Sequence, residues 1–240
     1  MTRALFISDL HLDPATPAGI ERFQRFAAET APGADALYIL GDLFEMWIGD
    51  DAADAASEAV IAALSGLTAA GTRCHLMPGN RDFLLGKALA GACGAVFLDD
   101  PERIELAGRP CVLSHGDALC TADVEYMELR RTLRSPEMIA DLLARPLAER
   151  AAIGADARRR SQEAGENRPD HIMDVTPAEV DALLDARGAD LLIHGHTHRP
   201  AVHRWRNGSR ERIRVVLGDW GETTRYAEAL DSEVSLRSWP

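Results

Sequence analysis

Lysine is nearly missing from this chain of 240 residues: Lys87 stands alone, so 25 of the 26 basic residues are arginine. Together with heavy use of alanine, this reads in part as compositional bias of the source genome. Positive charge is short overall, since 38 acidic residues leave a net charge of −12. A broad basic face is therefore not available, which argues against a nucleic-acid partner. The four cysteines, Cys74, Cys93, Cys111 and Cys120, form no CxxC pair, excluding a zinc–thiolate or dithiol redox motif and predicting the reduced thiols of a cytosolic protein. Long apolar runs are also missing. The first, Ala4–Ile7, meets Ser8 and Asp9 at once, too short for a signal peptide, and no stretch approaches the ~18 residues of a membrane span. A cytosolic protein, or one peripheral on a membrane, is predicted. With 46% hydrophobic residues the chain can fill a core, as one large domain or one domain with an insertion.

Short apolar runs at 4–8, 36–40, 73–77, 109–116 and 190–193 read as strands, and 212–218 and 233–239 close the chain as two more. Thr16-Pro17 opens a helix with Ile20, Phe23 and Phe26 on one face, and Thr176-Pro177-Ala178-Glu179 reads as a capping box stopped by Gly188. This rhythm predicts an α/β layered fold with mixed sheets. Residues 121–175 break it. They hold no strand pattern, helix starts at Ser135-Pro136 and Arg145-Pro146, and an apolar stripe Met138, Ile139, Leu142 and Leu143 that fits core or ligand pocket equally well. The expected division is a core of 1–120 and 176–240 with a helical insertion over 121–175. Residues 130–168 carry nine arginines against six acids in an otherwise acidic chain.

The strands that run into turns end on potential metal ligands. The first gives Asp9 and His11, the second Asp42, the third Asn80, the fourth His115, and the fifth His194, His196 and His198 at alternate positions. Ligand sites in open α/β sheets form at the carboxyl ends of strands. Singly, Asp9 could cap a turn, Asn80 could tolerate positive φ beside Gly79, and His115 could be a core histidine; jointly they predict a site. Oxygen and nitrogen donors without thiolate suit Mn, Fe or Zn, and Asp42 can bridge two ions roughly 3.5–4 Å apart.

The series D-x-H, GD, GN-x-D, H and GH-x-H resembles the calcineurin-like metallophosphoesterase superfamily across residues 5–220. The resemblance implies a four-layer αββα sandwich, with Asp9, His11, Asp42 and His198 on one metal ion and Asp42, Asn80, His115 and His196 on the other. His194 falls outside the motif and is expected to support the loop. Many superfamily members carry a histidine after GN; here the position is Arg81. Arginine is no proton donor near neutrality but clamps phosphate through its fork. A phosphate leaving group needs little acid help, so Arg81 argues for a pyrophosphate substrate, the alternative being an Arg81–Asp82 ion pair.

The stretches "FISDLHL", "YILGDLFEMWIGDD", "GNRDFLLGK", "SHGDALCTAD", "IMDV" and "LIHGHTHRPAVH" are similar to the UDP-2,3-diacylglucosamine pyrophosphatases of lipid A synthesis, over essentially the whole chain. The resemblance implies Mn2+-dependent water attack on the α-phosphate, releasing UMP and 2,3-diacylglucosamine 1-phosphate, at the inner membrane's cytoplasmic face. Asp42, Asn80, Arg81 and His115 are then the expected catalytic groups. Asn80, Arg81, Asp123, Arg158, Ser161, Arg168 and His196 are the expected substrate contacts, with Arg168 replacing a usual lysine and Gly165 standing where the family often has asparagine. The insertion is implied to be a lid over the acyl chains, with Arg130, Arg131 and Arg134 expected to meet anionic lipid. Asp50 and Asp51 are expected to shape a turn. A monomer is expected. Other calcineurin-like hydrolases lack the insertion, and a metal-binding scaffold would have lost ligands; none of the seven is missing.

Overall fold

The structure, a computed structural model, describes residues 2–165, 172, 174–221, 223–231 and 233–239, with the backbone alone for 161–165. Two sheets stack face to face. In the first, Arg3–Ile7 (β1), Ala36–Leu40 (β2), Arg73–Met77 (β3) and Val96–Phe97 (β4) run parallel, and Thr224–Leu230 (β10) and Glu233–Trp239 (β11) extend it antiparallel beyond β1. In the second, Arg109–Ser114 (β6), Leu191–His194 (β7) and Arg210–Val216 (β9) are parallel, flanked by antiparallel Glu102–Leu106 (β5) and Ala201–Asn207 (β8).

Strand alternation sorts the apolar side chains into three layers of core. Leu5, Ile7, Leu37, Ile39 and Leu76 meet Phe23 and Phe26 of Pro17–Glu29 (α1) and Val60 and Leu64 of Ala55–Ala69 (α2), with Lys87–Ala92 (α3) beside them. Phe6, Leu40 and Met77 point the other way, onto Leu113, Ile193 and Val215 of the second sheet. That sheet's outer face, Val112 and Leu192, packs on Val180 and Leu184 of Pro177–Arg187 (α7). The result is the αββα sandwich. Central strands read as unbroken apolar runs because both of their faces are covered.

Between β6 and α7 the described residues form three α-helices, Val124–Leu133 (α4), Pro136–Ala144 (α5) and Leu147–Gly165 (α6). Ser135 caps α5 as its position predicts, its hydroxyl accepting from the Met138 N–H at 3.2 Å. The capping box at Thr176 does not form. The Thr176 hydroxyl instead accepts a hydrogen bond from Thr121 at 2.8 Å, so a tertiary partner displaces the local one. Gly188 ends α7 in the left-handed region at φ 60°.

Candidate active site

All seven expected ligands converge at one edge of the sandwich, on the loops leaving β1, β2, β3, β6 and β7. The backbone there is strained. Of the seven described non-glycine residues with positive φ, five are Asp9, His11, Asp42, His196 and His198, at 49° to 68°. Such conformations persist where the surroundings fix them. The Asp9 N–H donates to the Gly41 carbonyl at 3.1 Å and the His11 N–H to the Asp42 carbonyl at 3.0 Å, locking the first loop to the second. The His196 N–H donates to the Asp9 carboxylate at 3.0 Å, tying in the last. Gly79 and Gly195 are required here by close approach: a Cβ on Gly79 would collide with the Asp42 backbone and carboxylate, and one on Gly195 with Ser8 and Asp9.

Asp42 faces both halves of the site. Its Oδ2 lies 3.9 Å from His11 Nε2 and its Oδ1 lies 3.6 Å from His115 Nε2. His198 Nε2 is 3.4 Å from Asp9 Oδ1 and 3.4 Å from His11 Nε2. Asn80 Oδ1 sits between His115 Nε2 at 2.9 Å and His196 Nδ1 at 2.8 Å. Two groups, Asp9–His11–His198 and Asp9–Asp42–His115, bring their ligand atoms within 4.8 Å of one another. Asp9 thus stands in both groups, beside the bridging place expected of Asp42.

The electrostatics also call for a cation. Burial lowers the His115 imidazole's proton affinity, but Asp42, Asp9, Asp117 and Asp100 outweigh it and raise its pKa to about 9. Burial and the His115 charge push His196 down to about 3. Burial works against the Asp9 charge, yet His198, His115 and Ser8 hold its carboxyl well below the usual range. Nitrogens packed 3.4 Å apart among buried carboxylates, with no thiolate, fit divalent metal ions.

The remaining expectations divide. His194 is fully buried at the end of β7, with Nδ1 facing the Gly195 carbonyl at 2.9 Å, a supporting place. Arg81 does not pair with Asp82. The Asp82 carboxylate is fully buried and accepts the backbone N–H groups of Gly79 at 2.6 Å and Leu43 at 2.8 Å, which splices the β2 and β3 loops. Arg81 instead points past Glu45, at 3.9 Å. Asp50 accepts from the Gly86 and Leu89 N–H groups at the start of α3, and Asp51 pairs with Arg150 of α6. Asp123 caps α4 by accepting from the Tyr126 N–H at 3.0 Å. The Ser161 side chain and Arg168 lie outside the described residues.

A cavity of ≈ 730 Å³ opens from this site beneath α4, α5 and α6. Its inner end carries Asn80, Arg81, Tyr126, Arg130 and Arg134; its walls carry Trp47, Phe83, Leu129, Leu142 and Ile153. Arg158 also lines it, with Nε 2.9 Å from Glu45 Oε1. The expectation that Arg130 and Arg134 meet lipid is wrong. Both turn inward onto buried Asp117, while Arg131 stays exposed. The apolar stripe is split: Leu142 is buried and lines the cavity, Met138 and Ile139 pack on the core, and Leu143 is exposed.

Sequence reasoning missed Glu45, whose Oε2 stands 3.0 Å from His11 Nδ1. It also missed Asp117 and Tyr126. Only Asp117 gave a signal, as the acid two residues after His115 in "SHGD".

The sequence profile of calcineurin-like phosphoesterases matches residues 2–200. A protein of Marinobacter nauticus named UDP-2,3-diacylglucosamine hydrolase is 46% identical over 237 residues, covering 98% of this chain and 97% of the relative. One of the same name from Stenotrophomonas maltophilia is 51% identical over 225 residues, 91% of each chain. Among solved structures, an archaeal phosphodiesterase aligns over 99% of this chain and all of its own at TM-score 0.50 with 11% identity, a likeness of fold alone.

Proposed function

Because this hydrolase belongs to the calcineurin-like phosphoesterase family, and within it groups with the UDP-2,3-diacylglucosamine hydrolases, we propose that it cleaves the pyrophosphate bond of UDP-2,3-diacylglucosamine. Water attacks the α-phosphate, and UMP and 2,3-diacylglucosamine 1-phosphate leave. The observation that carries the reading is the direct opening of an apolar-walled cavity onto the carboxylate–imidazole cluster at Asn80 and Arg81. A diphosphate joining a nucleoside to a two-chain lipid sugar has the matching polarity. Each CH2 removed from water contributes ~0.8 kcal/mol, so the walls supply much of the binding.

Asp9, His11, Asp42 and His198 would hold one divalent ion and Asp42, Asn80, His115 and His196 a second, Mn2+ in both places. Bound there, the ions supply Lewis acidity and an activated water. Arg81 grips the diphosphate through its fork and donates no proton, which a phosphate leaving group does not need. His11 is held by Glu45, and the Asn80 carbonyl by His115 and His196, so the donors are set before substrate arrives. Residues 121–175 act as a lid on a core formed by 1–120 and 176–240.

No helix among the described residues is long and apolar enough to cross a membrane. Exposed Leu143, Leu147 and Ile153 on α5 and α6 support peripheral contact with the inner membrane's cytoplasmic face, and the enzyme acts there as a monomer. The test is UMP release from UDP-2,3-diacylglucosamine with Mn2+ and with chelator. Turnover with Mn2+ that stops in chelator is expected. Turnover undiminished in chelator overturns the metal reading, and no UMP under any metal overturns the substrate.

A further inference from the structure

Tyr126, Arg130 and Arg134 are spaced i, i+4 and i+8, a single stripe running from α4 to its C-cap. All three reach one atom, Oδ2 of Asp117. The Tyr126 hydroxyl and Arg130 Nε donate to it at 2.8 Å, and an Arg134 Nη at 3.3 Å. Asp117 is fully buried, two residues beyond His115. Arg134 also donates to the Gly79 carbonyl at 2.9 Å, and the Tyr126 ring stacks beside that of His196 at 5.9 Å. Asp117 and the side chains gathered on it thus dock α4 onto three of the site's loops.

One guanidinium would neutralise the Asp117 charge; two are present, both on Oδ2. Arg130 uses its Nε and Arg134 one Nη, and the fork leaves each with further N–H donors. A second acid, Asp100, lies 4.0 Å from an Arg130 Nη, beyond hydrogen-bond reach. Both guanidiniums line the cavity, and so do Leu129 and Leu133, their neighbours on α4. An anion held here would sit beside the apolar walls, with its charge on the arginines and its carbon chains on the leucines. Pinning two long side chains to a buried acid removes in advance the ordering cost that a ligand would otherwise meet.

We infer that Arg130 and Arg134 form the recognition pair for the phosphate that stays on the lipid sugar, and that Asp117 is its positioning residue. The inference rests on the substrate proposed above. It leaves the metal ligands with the phosphate under attack and Arg81 on the diphosphate, and gives the α4 pair to the phosphate that leaves.

The test is calorimetric titration of the Mn2+-loaded full chain with each product separately. Arg130→Gln and Arg134→Gln should each weaken 2,3-diacylglucosamine 1-phosphate by about 10- to 100-fold, the loss of a charge-assisted hydrogen bond. UMP affinity should stay within about twofold. Asp117→Asn, with both arginines present but no longer aimed, should weaken the sugar phosphate alone and by less. If it does not fold, the arginine variants carry the test. Equal weakening of both products would mean a general loss of structure, and unchanged affinity for the sugar phosphate would mean the arginines only dock α4. Either overturns the pair. If the wild-type chain releases no UMP, the substrate reading has failed instead.

Discussion

The strand-end loops and the three helices over them are held by different means, and the difference follows what each must do. In the loops, five side chains project from left-handed backbone, and the fixing bonds are backbone N–H groups to buried carboxylates such as Asp9 and Asp82. Little can move without breaking a buried hydrogen bond. Over α4 to α6, Asp123, Leu142 and Arg150 are the buried residues among those whose side chains are described. These helices are tied to the core by a few ion pairs: Arg130 and Arg134 to Asp117, Arg150 to Asp51, and Arg158 to Glu45 and Asp13. On the proposed reading, chemistry demands fixed donors, whereas receiving acyl chains demands an apolar wall.

If the contrast holds, damage to the loops should stop turnover whatever the substrate. Asp42→Asn and His198→Ala should each lower kcat by about 10³-fold or more, as expected when a metal contributing several kcal/mol to the transition state is displaced. His194→Ala should retain far more activity, since its ring faces the Gly195 carbonyl rather than the cluster. Initial rates with saturating Mn2+, on variants checked by circular dichroism, decide this. His194→Ala as inactive as His198→Ala, and still folded, would place His194 inside the machinery.

That distinction was legible in the sequence because ligand spacing is dictated by backbone geometry. D-x-H, GD, GN and GH-x-H are local patterns, each at the end of an apolar run, and the glycines are there because a Cβ would strike Asp42 at Gly79, Asp9 and Ser8 at Gly195, and His115 and Gly79 at Gly41. The central strands were legible for a related reason: burial on both faces writes them as solid apolar runs. Strands such as β8, with only Ala201 and Trp205 half-buried among exposed residues, and β10, where alanines fill the inner face, carry no such signal. Contacts between distant segments were illegible. Nothing local says that Arg130 turns toward Asp117 rather than solvent, and the surplus of arginine over 130–168 pointed to the membrane when three of its members, Arg130, Arg134 and Arg150, point inward. The Thr176 capping box failed in the same way, because Thr121 is its neighbour in space.

The helices are probed by a smaller effect that should depend on the substrate. Ile153 lines the cavity yet is 38% exposed, so an acid there can be carried without unfolding the protein. Ile153→Asp should raise KM for the diacylated substrate by about 10- to 100-fold, from ~1.5–3 kcal/mol of lost apolar contact, with kcat little changed. An acyl-free UDP-glucosamine should be hydrolysed as by the wild type. Leu142→Asp is less clean, because Leu142 also belongs to the core. Equal harm to both substrates by Ile153→Asp would erase the contrast between fixed loops and apolar wall.

pH separates the two regions most finely. In the metal-free protein His115 is held protonated up to about 9, burial opposing and the surrounding carboxylates prevailing. A ligand imidazole must be neutral, so metal capture below that value displaces a proton. Mn2+ affinity should therefore rise with pH, by about tenfold per unit for one displaced proton, and level off near 9. The attachment of α6 behaves otherwise. The Arg150 guanidinium holds the Asp51 carboxyl below its usual range. A depressed carboxylate contributes its full stabilisation above its unfolded value and loses it only as pH falls through the folded one, in acid. Between pH 6 and 9 the Asp51–Arg150 pair should thus be constant. Calorimetry at pH 7, 8 and 9 in buffers of differing ionisation enthalpy would count the protons released. Amide exchange along α6, corrected for its intrinsic pH dependence, would report the pair. Proton release that vanishes at pH 7, or α6 protection that follows the metal affinity, would show that the helices and the loops respond as one unit.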